Sequence, residues 1–113
     1  MKIVSGQVSL DELKLMANKN YNRLVKAVVD IDKKIIAVGA DLHADEETLL
    51  LENGSKQENL WGFNIYPDEN EEDRLEFDSM INIRPYQNNN TREVGNSEIR
   101  ERIRKIVLKL IKK

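Results

Sequence analysis

Apolar and polar positions recur along this chain with two different periods, and the period predicts which segments are helices and which are strands. A stripe at helical spacing follows Ser9, which forms a capping-box pattern with Glu12 three residues later. Residues 24–31 and 34–38 are rich in β-branched side chains, so we predict a β-hairpin there. Residues 2–4 are a further short strand candidate.

The middle of the chain adds a helix and two strands. Residues 43–53 begin with acidic side chains and are followed by Gly54, which indicates a helix with a negative first turn and a glycine cap. Residues 60–66 alternate with period two, as do residues 75–83 beyond an acidic turn. We predict that these two strands form a hairpin with one apolar and one polar face. The polar face would carry Gly62, Asn64, Asp78, Asn82 and Arg84.

The last third of the chain predicts a loop and a helix. Residues 86–95 include three consecutive asparagines and are typical of a long mobile loop. Ser97 is the expected cap of a final helix. The buried stripe of that helix would be Ile99, Ile103, Ile106, Val107 and Leu110. The elements together predict an α+β protein, one domain over residues 1–113, with an antiparallel sheet of four or five strands and about three helices packed on one face.

Composition excludes several classes of activity. The chain has 113 residues and no cysteine, which removes disulfides, thiol catalysis and thiolate metal sites. No apolar run approaches the roughly 20 residues of a membrane span, and the first residues lack the apolar stretch of a secretory signal. We therefore expect a cytoplasmic protein with no membrane contact. The net charge of -2 argues against general attraction to nucleic-acid phosphates.

The only histidine suggests a metal site. If a helix begins at His43, Glu46 and Glu47 lie on the same face, so an imidazole and carboxylates could converge on a divalent metal ion, with Asp78 as a further ligand. The set of His43, Glu47 and Asp78 would suit a metal-assisted hydrolase or a related enzyme. No established metal-binding spacing supports it, and acidic residues in a first helical turn are also explained by the helix dipole.

The second candidate is a ligand-binding site of Asn64, Asp78, Asn82 and Arg84. At strand rise, Asp78 and Arg84 would lie about 20 Å apart, so Asn82 and Arg84 would form one subsite and Asp78 another. The planar fork of Arg84 suits a carboxylate or a phosphate. A one-sided antiparallel sheet also presents a polar face to water, which explains the same residues without any function.

The final helix has a basic face that could contact RNA, an acidic protein partner, or residues 68–73 of a second copy in a homodimer. The aromatic side chains needed for base stacking are few and lie elsewhere in the chain. A solvated face is therefore favoured over nucleic-acid binding.

Three blocks carry a family resemblance. Residues 42–47, 50–62 and 77–85 read LHADEE, LLENGSKQENLWG and FDSMINIRP. They resemble the signature of a small prokaryotic family described only as a domain of unknown function. The resemblance extends over nearly the full length and implies a single-domain cytosolic protein, but no activity, cofactor or catalytic residue. The leading hypothesis is thus a binding or protein-interaction domain without catalysis, whose partner is a small ligand or a protein. The alternatives are the metal-assisted enzyme and RNA binding.

Overall fold

The computed structural model describes residues 1–112 and contains, within them, two sheets and three α-helices. The strands are β1 (Lys2–Val4), β2 (Val8–Ser9), β3 (Val25–Asp30), β4 (Ile35–Val38), β5 (Leu60–Ile65), β6 (Leu75–Glu76) and β7 (Ile111–Lys112). The helices are α1 (Leu10–Asn18), α2 (His43–Glu52) and α3 (Ser97–Leu110). The main sheet is antiparallel with the order β1-β4-β3-β5-β6, and β2 pairs in parallel with β7. The predicted α+β class and sheet are confirmed.

The central strands are covered on both faces. Every residue of β5 is buried, and so is nearly all of β3. On one face, Leu13 of α1 and Ile103 of α3 belong to the same core as Phe63. On the opposite face, Leu50 of α2 packs with Val28. The prediction that all three helices lie on one face is therefore corrected, because strands that are apolar on both sides need cover on both sides.

Most of the predicted elements are present. Ser9 caps α1 by accepting a hydrogen bond from the Glu12 backbone N–H at 3.0 Å. The final helix is capped one residue earlier than predicted, because Asn96 Oδ1 accepts two backbone N–H groups of its first turn and Ser97 is already helical. Within residues 1–112, none of the helices combines the length and the apolar character needed to cross a membrane.

The predicted strand over residues 75–83 is shorter than expected. Strand β6 ends at Glu76, and residues Met80–Asn82 form a 3₁₀ turn. This segment lies directly against β5, since a Cβ atom added to Gly62 would come within 2.6 Å of Ser79. The close approach explains why glycine occupies this position in an otherwise large-residue strand.

The loop predicted to be mobile is tied down by one buried side chain. Asn89 Nδ2 donates hydrogen bonds to the carbonyl groups of Asn82 at 2.7 Å and Glu93 at 2.7 Å. Its Oδ1 accepts the backbone N–H of Gly95 at 2.9 Å. One asparagine therefore organises residues 86–95 and fastens them to the 3₁₀ turn.

Candidate functional site

Two of the four predicted ligand-binding residues hold the edge of β5. Asn82 accepts the Gly62 N–H at 2.8 Å and donates to the Gly62 carbonyl at 2.9 Å, so its amide replaces a strand partner. Arg84 donates to the carbonyl groups of Gln57 and Leu60. The two side chains belong to residues only 0 % and 3 % exposed. The polar groups are thus turned to the backbone, and the solvated polar face predicted for Asn82 and Arg84 is corrected.

Trp61 adds to this arrangement. The guanidinium carbon of Arg84 lies 4.3 Å from the centroid of the indole ring, which is a cation–π geometry. The sequence suggests that Arg84 binds a carboxylate or a phosphate through its planar fork. The guanidinium group instead donates hydrogen bonds to two backbone carbonyls at the start of β5, where no neighbouring strand supplies N–H groups.

The other two predicted residues, Asn64 and Asp78, line an open cleft of about 420 Å³. Its floor is a row of residues on three adjacent strands: Lys26 pairs in register with Asn64, and Asn64 with Glu76. All three lie on the α2 side of the sheet. Since neighbouring strands are about 4.8 Å apart, the Cα atoms of Lys26 and Glu76 are separated by about 10 Å. The cleft therefore has a cationic end and an acidic end.

The acidic end is organised by hydrogen bonds. Glu76 Oε1 accepts from Asn64 Nδ2 at 2.9 Å and from the Tyr66 hydroxyl at 3.0 Å. The carboxylate of Asp78 pairs with Arg92, with 2.6 Å between Oδ1 and Nε. Burial is the first cause that raises the pKa of Tyr66, followed by its contact with Glu76. The Tyr66 hydroxyl thus remains a donor that holds Glu76 in place.

Two polar groups of the cleft have no partner among residues 1–112. The side-chain ammonium group of Lys26 forms neither an ion pair nor a hydrogen bond there. Asn64 is 5 % exposed, and its Oδ1 accepts no hydrogen bond of good geometry, although the amide lies close enough to the His43 ring to act on its pKa. An unsatisfied buried amide oxygen costs about 1–3 kcal/mol. Such a group beside an open cleft is a reason to look for a ligand that donates to it.

His43 begins α2 and is buried at the back of the cleft. Its Nε2 lies 2.7 Å from the Phe63 carbonyl oxygen, so Nε2 carries the proton and donates. Desolvation lowers the pKa of His43, while the Phe63 carbonyl and the Asn64 amide oppose this effect by favouring the charged ring. Near pH 7 the imidazole is therefore neutral.

The start of α2 also faces the cleft, since Leu42, His43 and Ala44 line it. The N-cap position is occupied by Leu42, which supplies no side-chain hydrogen bond to the first turn. A helix start without a side-chain cap leaves backbone N–H donors unpaired at the positive end of the helix dipole. This end of the cleft is therefore suited to a negatively charged group.

The predicted metal ligands are not brought together. Among residues 1–112, there is no group of three or more histidine, aspartate or glutamate side chains that could hold a metal ion. His43 directs Nε2 to a carbonyl group. Burial lowers the pKa of Arg84, and the nearby charges of Tyr86 and Glu47 oppose that effect. His43 and Asp78 both line the cleft, whereas Glu47 does not, so the three side chains of the predicted set do not converge.

Glu46 belongs to the first turn of α2 and is fully buried. Its Oε2 accepts the Ala40 N–H at 3.0 Å, and its Oε1 has no partner within the described residues. Desolvation raises the pKa of Glu46 to about 9, so the side chain is an uncharged carboxylic acid at neutral pH. It ties α2 to the backbone of Ala40, and it does not line the cleft.

Sequence reasoning missed four residues of the cleft: Lys26, Tyr66, Glu76 and Arg92. A signal existed for Lys26, which is the one charged residue between positions 24 and 29. Glu76 falls on the polar side of the predicted hairpin together with Asp78. Nothing in the local sequence connects Arg92 to Asp78, because their pairing depends on how residues 77–96 fold back.

The fold and the cleft define a class of protein: an α+β protein with an open polar cleft between the start of a helix and an antiparallel sheet. The chain belongs to the family described as Protein of unknown function (DUF5674), whose model matches residues 2–110. This match confirms the resemblance to a family of unknown function. A search of curated proteins and a search of solved structures each found no match to the chain.

Proposed function

We propose that this protein is a small binding domain whose cleft takes a zwitterionic ligand of the amino-acid or short-peptide class. The observation that carries the proposal is the row of Lys26, Asn64 and Glu76 across three strands. It places a free ammonium group and a carboxylate on opposite sides of a buried amide that lacks one hydrogen bond. A ligand with an anionic group at one end and a cationic group at the other would match the order of Lys26, Asn64 and Glu76.

The anionic group of the ligand binds at the Lys26 end. Lys26 has no competing ion pair within residues 1–112, and the start of α2 offers backbone N–H groups without a side-chain cap. A carboxylate placed there gains a charge-assisted hydrogen bond and the helix dipole together. The neutral His43 adds no charge that would either attract or repel it.

The cationic group of the ligand binds at the Glu76 end. Asp78 is already neutralised by Arg92, whereas Glu76 receives only neutral donors from Asn64 and Tyr66. A ligand ammonium would therefore meet an uncompensated carboxylate at Glu76. A donor at the middle of the ligand would reach Asn64 Oδ1.

The mouth of the cleft is apolar. Leu42 and Met80 line it and are 58 % and 64 % exposed, so they offer apolar surface to a ligand. Small-molecule sites combine apolar walls with a few convergent polar groups. An aliphatic side chain on the ligand would cover these two residues, so a dipeptide with one aliphatic residue is a better match than glycine.

The test is a calorimetric titration with the dipeptide alanyl-leucine and two modified forms. N-acetylation removes the cation, and C-terminal amidation removes the anion. We expect the unmodified dipeptide to bind and each modified form to bind at least about tenfold more weakly, since a charge-assisted hydrogen bond is worth about 1.5–3 kcal/mol.

Variants assign each end of the ligand. Lys26→Met should weaken the unmodified dipeptide and remove the preference for it over the amidated form, and Glu76→Gln should remove the preference over the acetylated form. Lys56→Met and Glu58→Gln are matched controls, because both residues are exposed and lie outside the cleft. If neither Lys26→Met nor Glu76→Gln changes the affinity for the dipeptide, the proposal is refuted.

A further inference from the structure

The outward side of α3 exposes a leucine between two grooves. Leu108 is 58 % exposed and lines both of them. The first, here the basic groove, has a volume of about 620 Å³ and is lined among others by Ile31, Lys34, Arg102, Lys105, Ile106 and Lys109. The second, here the acidic groove, has a volume of about 560 Å³ and is lined among others by Glu72, Leu75, Arg104, Val107 and Ile111.

The basic groove carries positive charge without compensation. Its lining includes four cations and no acidic residue, and none of the four forms an ion pair within residues 1–112. Its floor is nevertheless apolar, with Ile31 and Ile106 buried below the rim. The occupant must therefore be both apolar and negatively charged.

The acidic groove is bordered by the turn between β5 and β6. Residues 68–73 contain five acidic side chains out of six. The two arginines of this groove are already engaged: Arg74 donates to the Glu69 carbonyl at 3.3 Å, and Arg104 pairs with Glu101 at 3.3 Å. Glu69, Glu72 and Asp73 form no ion pair within residues 1–112 and outnumber Arg74, so this turn carries a net negative charge.

A rotation by 180° about an axis through Leu108 exchanges the two grooves. A surface that is positive on one side of an apolar ridge and negative on the other is complementary to a second copy of itself under that rotation. We infer that two copies of this chain form a two-fold symmetric dimer, with Leu108 at the axis and each basic groove against the partner's acidic turn.

The size of the surface is compatible with this pairing. A specific interface buries at least about 1,000 Å² in total, or about 500 Å² from each copy. The chain exposes 6693 Å², so less than a tenth of its surface is required. Leu108 and the floors of the two grooves would supply the apolar centre, and the charged rims would set the orientation.

Other anionic occupants fit less well. Single-stranded RNA needs aromatic side chains on which bases stack, and the lining of the basic groove contains none. An anionic membrane would meet the acidic turn on the other side of Leu108. Either RNA or an anionic membrane would bind only the basic groove and leave the acidic groove uncovered.

The test is a charge exchange measured by analytical ultracentrifugation. Variant A is Lys105→Glu with Lys109→Glu, and variant B is Glu69→Lys with Glu72→Lys; all four residues are exposed. In a homodimer of either variant, the rim of each basic groove and the acidic turn of the other copy carry charge of the same sign. In a mixed dimer of A with B, opposite charges face each other at both rims.

We expect wild-type protein to dimerise, A and B alone to dimerise at least about tenfold more weakly, and an equimolar mixture to form A–B dimers with nearly wild-type affinity. Lys19→Glu with Lys56→Glu is the control, because it makes the same change in net charge outside both grooves. Melting temperatures by circular dichroism verify that all variants fold.

Three outcomes would overturn the inference: a wild type that is monomeric at about 100 µM, a mixture of A and B that is no more dimeric than its components, or a control variant as weakened as A. Titration with single-stranded RNA and with anionic vesicles completes the test. If either binds wild-type protein and loses affinity with A but not with B, the basic groove serves that ligand and the dimer proposal fails.

Discussion

Replacement of Asn82 by alanine should destabilise the fold, because its side chain substitutes for a missing strand partner at the edge of β5. The amide makes three hydrogen bonds at a fully buried position: one from the Gly62 N–H, one to the Gly62 carbonyl and one to the Arg92 carbonyl at 3.0 Å. Each bond contributes about 1 kcal/mol net, and each group left without a partner adds to the loss. We expect Asn82→Ala to cost about 3–5 kcal/mol.

The variant Asn82→Asp tests the hydrogen bonds alone, because it keeps the shape of the side chain and removes its donor group. A carboxylate of the same size can accept the Gly62 N–H but cannot donate, so it would face two carbonyl oxygens at close range. We expect Asn82→Asp to cost at least as much as Asn82→Ala at pH 7. Its cost should shrink as the pH falls toward about 4, because burial raises the pKa of the carboxyl group and the protonated acid regains one donor.

Urea unfolding followed by tryptophan fluorescence is the appropriate assay. Trp61 is the only tryptophan, and it is buried beside Gly62. Asn90→Asp is the matched control, since Asn90 is exposed and lies in the same part of the chain. It should change the free energy of unfolding by less than about 0.5 kcal/mol. A loss below about 1 kcal/mol for both Asn82 variants would refute the idea that this amide holds residues 77–84 against β5.

Further predictions concern three buried positions. Arg84→Lys should cost about 2–3 kcal/mol in urea unfolding, because an ammonium group cannot replace the bidentate bonds to two carbonyls; an unchanged midpoint would mean that the guanidinium is dispensable. Gly62→Ala should lower the melting temperature, because its Cβ would lie 2.6 Å from Ser79; Ser79→Gly in the same chain should recover part of the loss. Glu46 has a folded-state pKa of about 9 and an ordinary value of 4.5, so wild-type stability should fall between about pH 5 and pH 9 as the unfolded chain alone ionises. Glu46→Gln should remove that slope, which approaches about 1.4 kcal/mol per pH unit, and a wild-type slope equal to the variant's would contradict the shift.

The sequence predicted the elements whose signals are local. The Ser9 cap, the hairpin of β3 and β4, and the segments of α2, β5 and α3 each follow from spacing within a few residues. The strand predicted over residues 75–83 ends at Glu76, because the alternation of apolar and polar residues beyond it has another cause. Phe77 packs on the core of α1 and α3, whereas Ile81 packs on the core of α2, so successive turns produce the pattern that a strand would give.

The candidate site was predictable only in part. Asn64 and Asp78 were expected to share a polar face, and they do line one cleft. Asn82 and Arg84 were placed on the same face because polar residues in an alternating segment usually meet water. Buried amide and guanidinium groups that bond to a strand edge leave no mark in a single sequence, since their partners are backbone atoms about 20 or more residues away.

The most direct test of the proposed ligand site is a two-dimensional ¹H–¹⁵N NMR titration of the wild-type protein with alanyl-leucine. We expect the largest shifts at the backbone amides of residues 42–44 and at the side-chain amide of Asn64, all of which line the cleft. The amides of α3 between Arg102 and Lys109 should remain unchanged and serve as an internal reference. The absence of shifts at millimolar dipeptide, or shifts confined to α3, would contradict the assignment of the cleft as a zwitterion site.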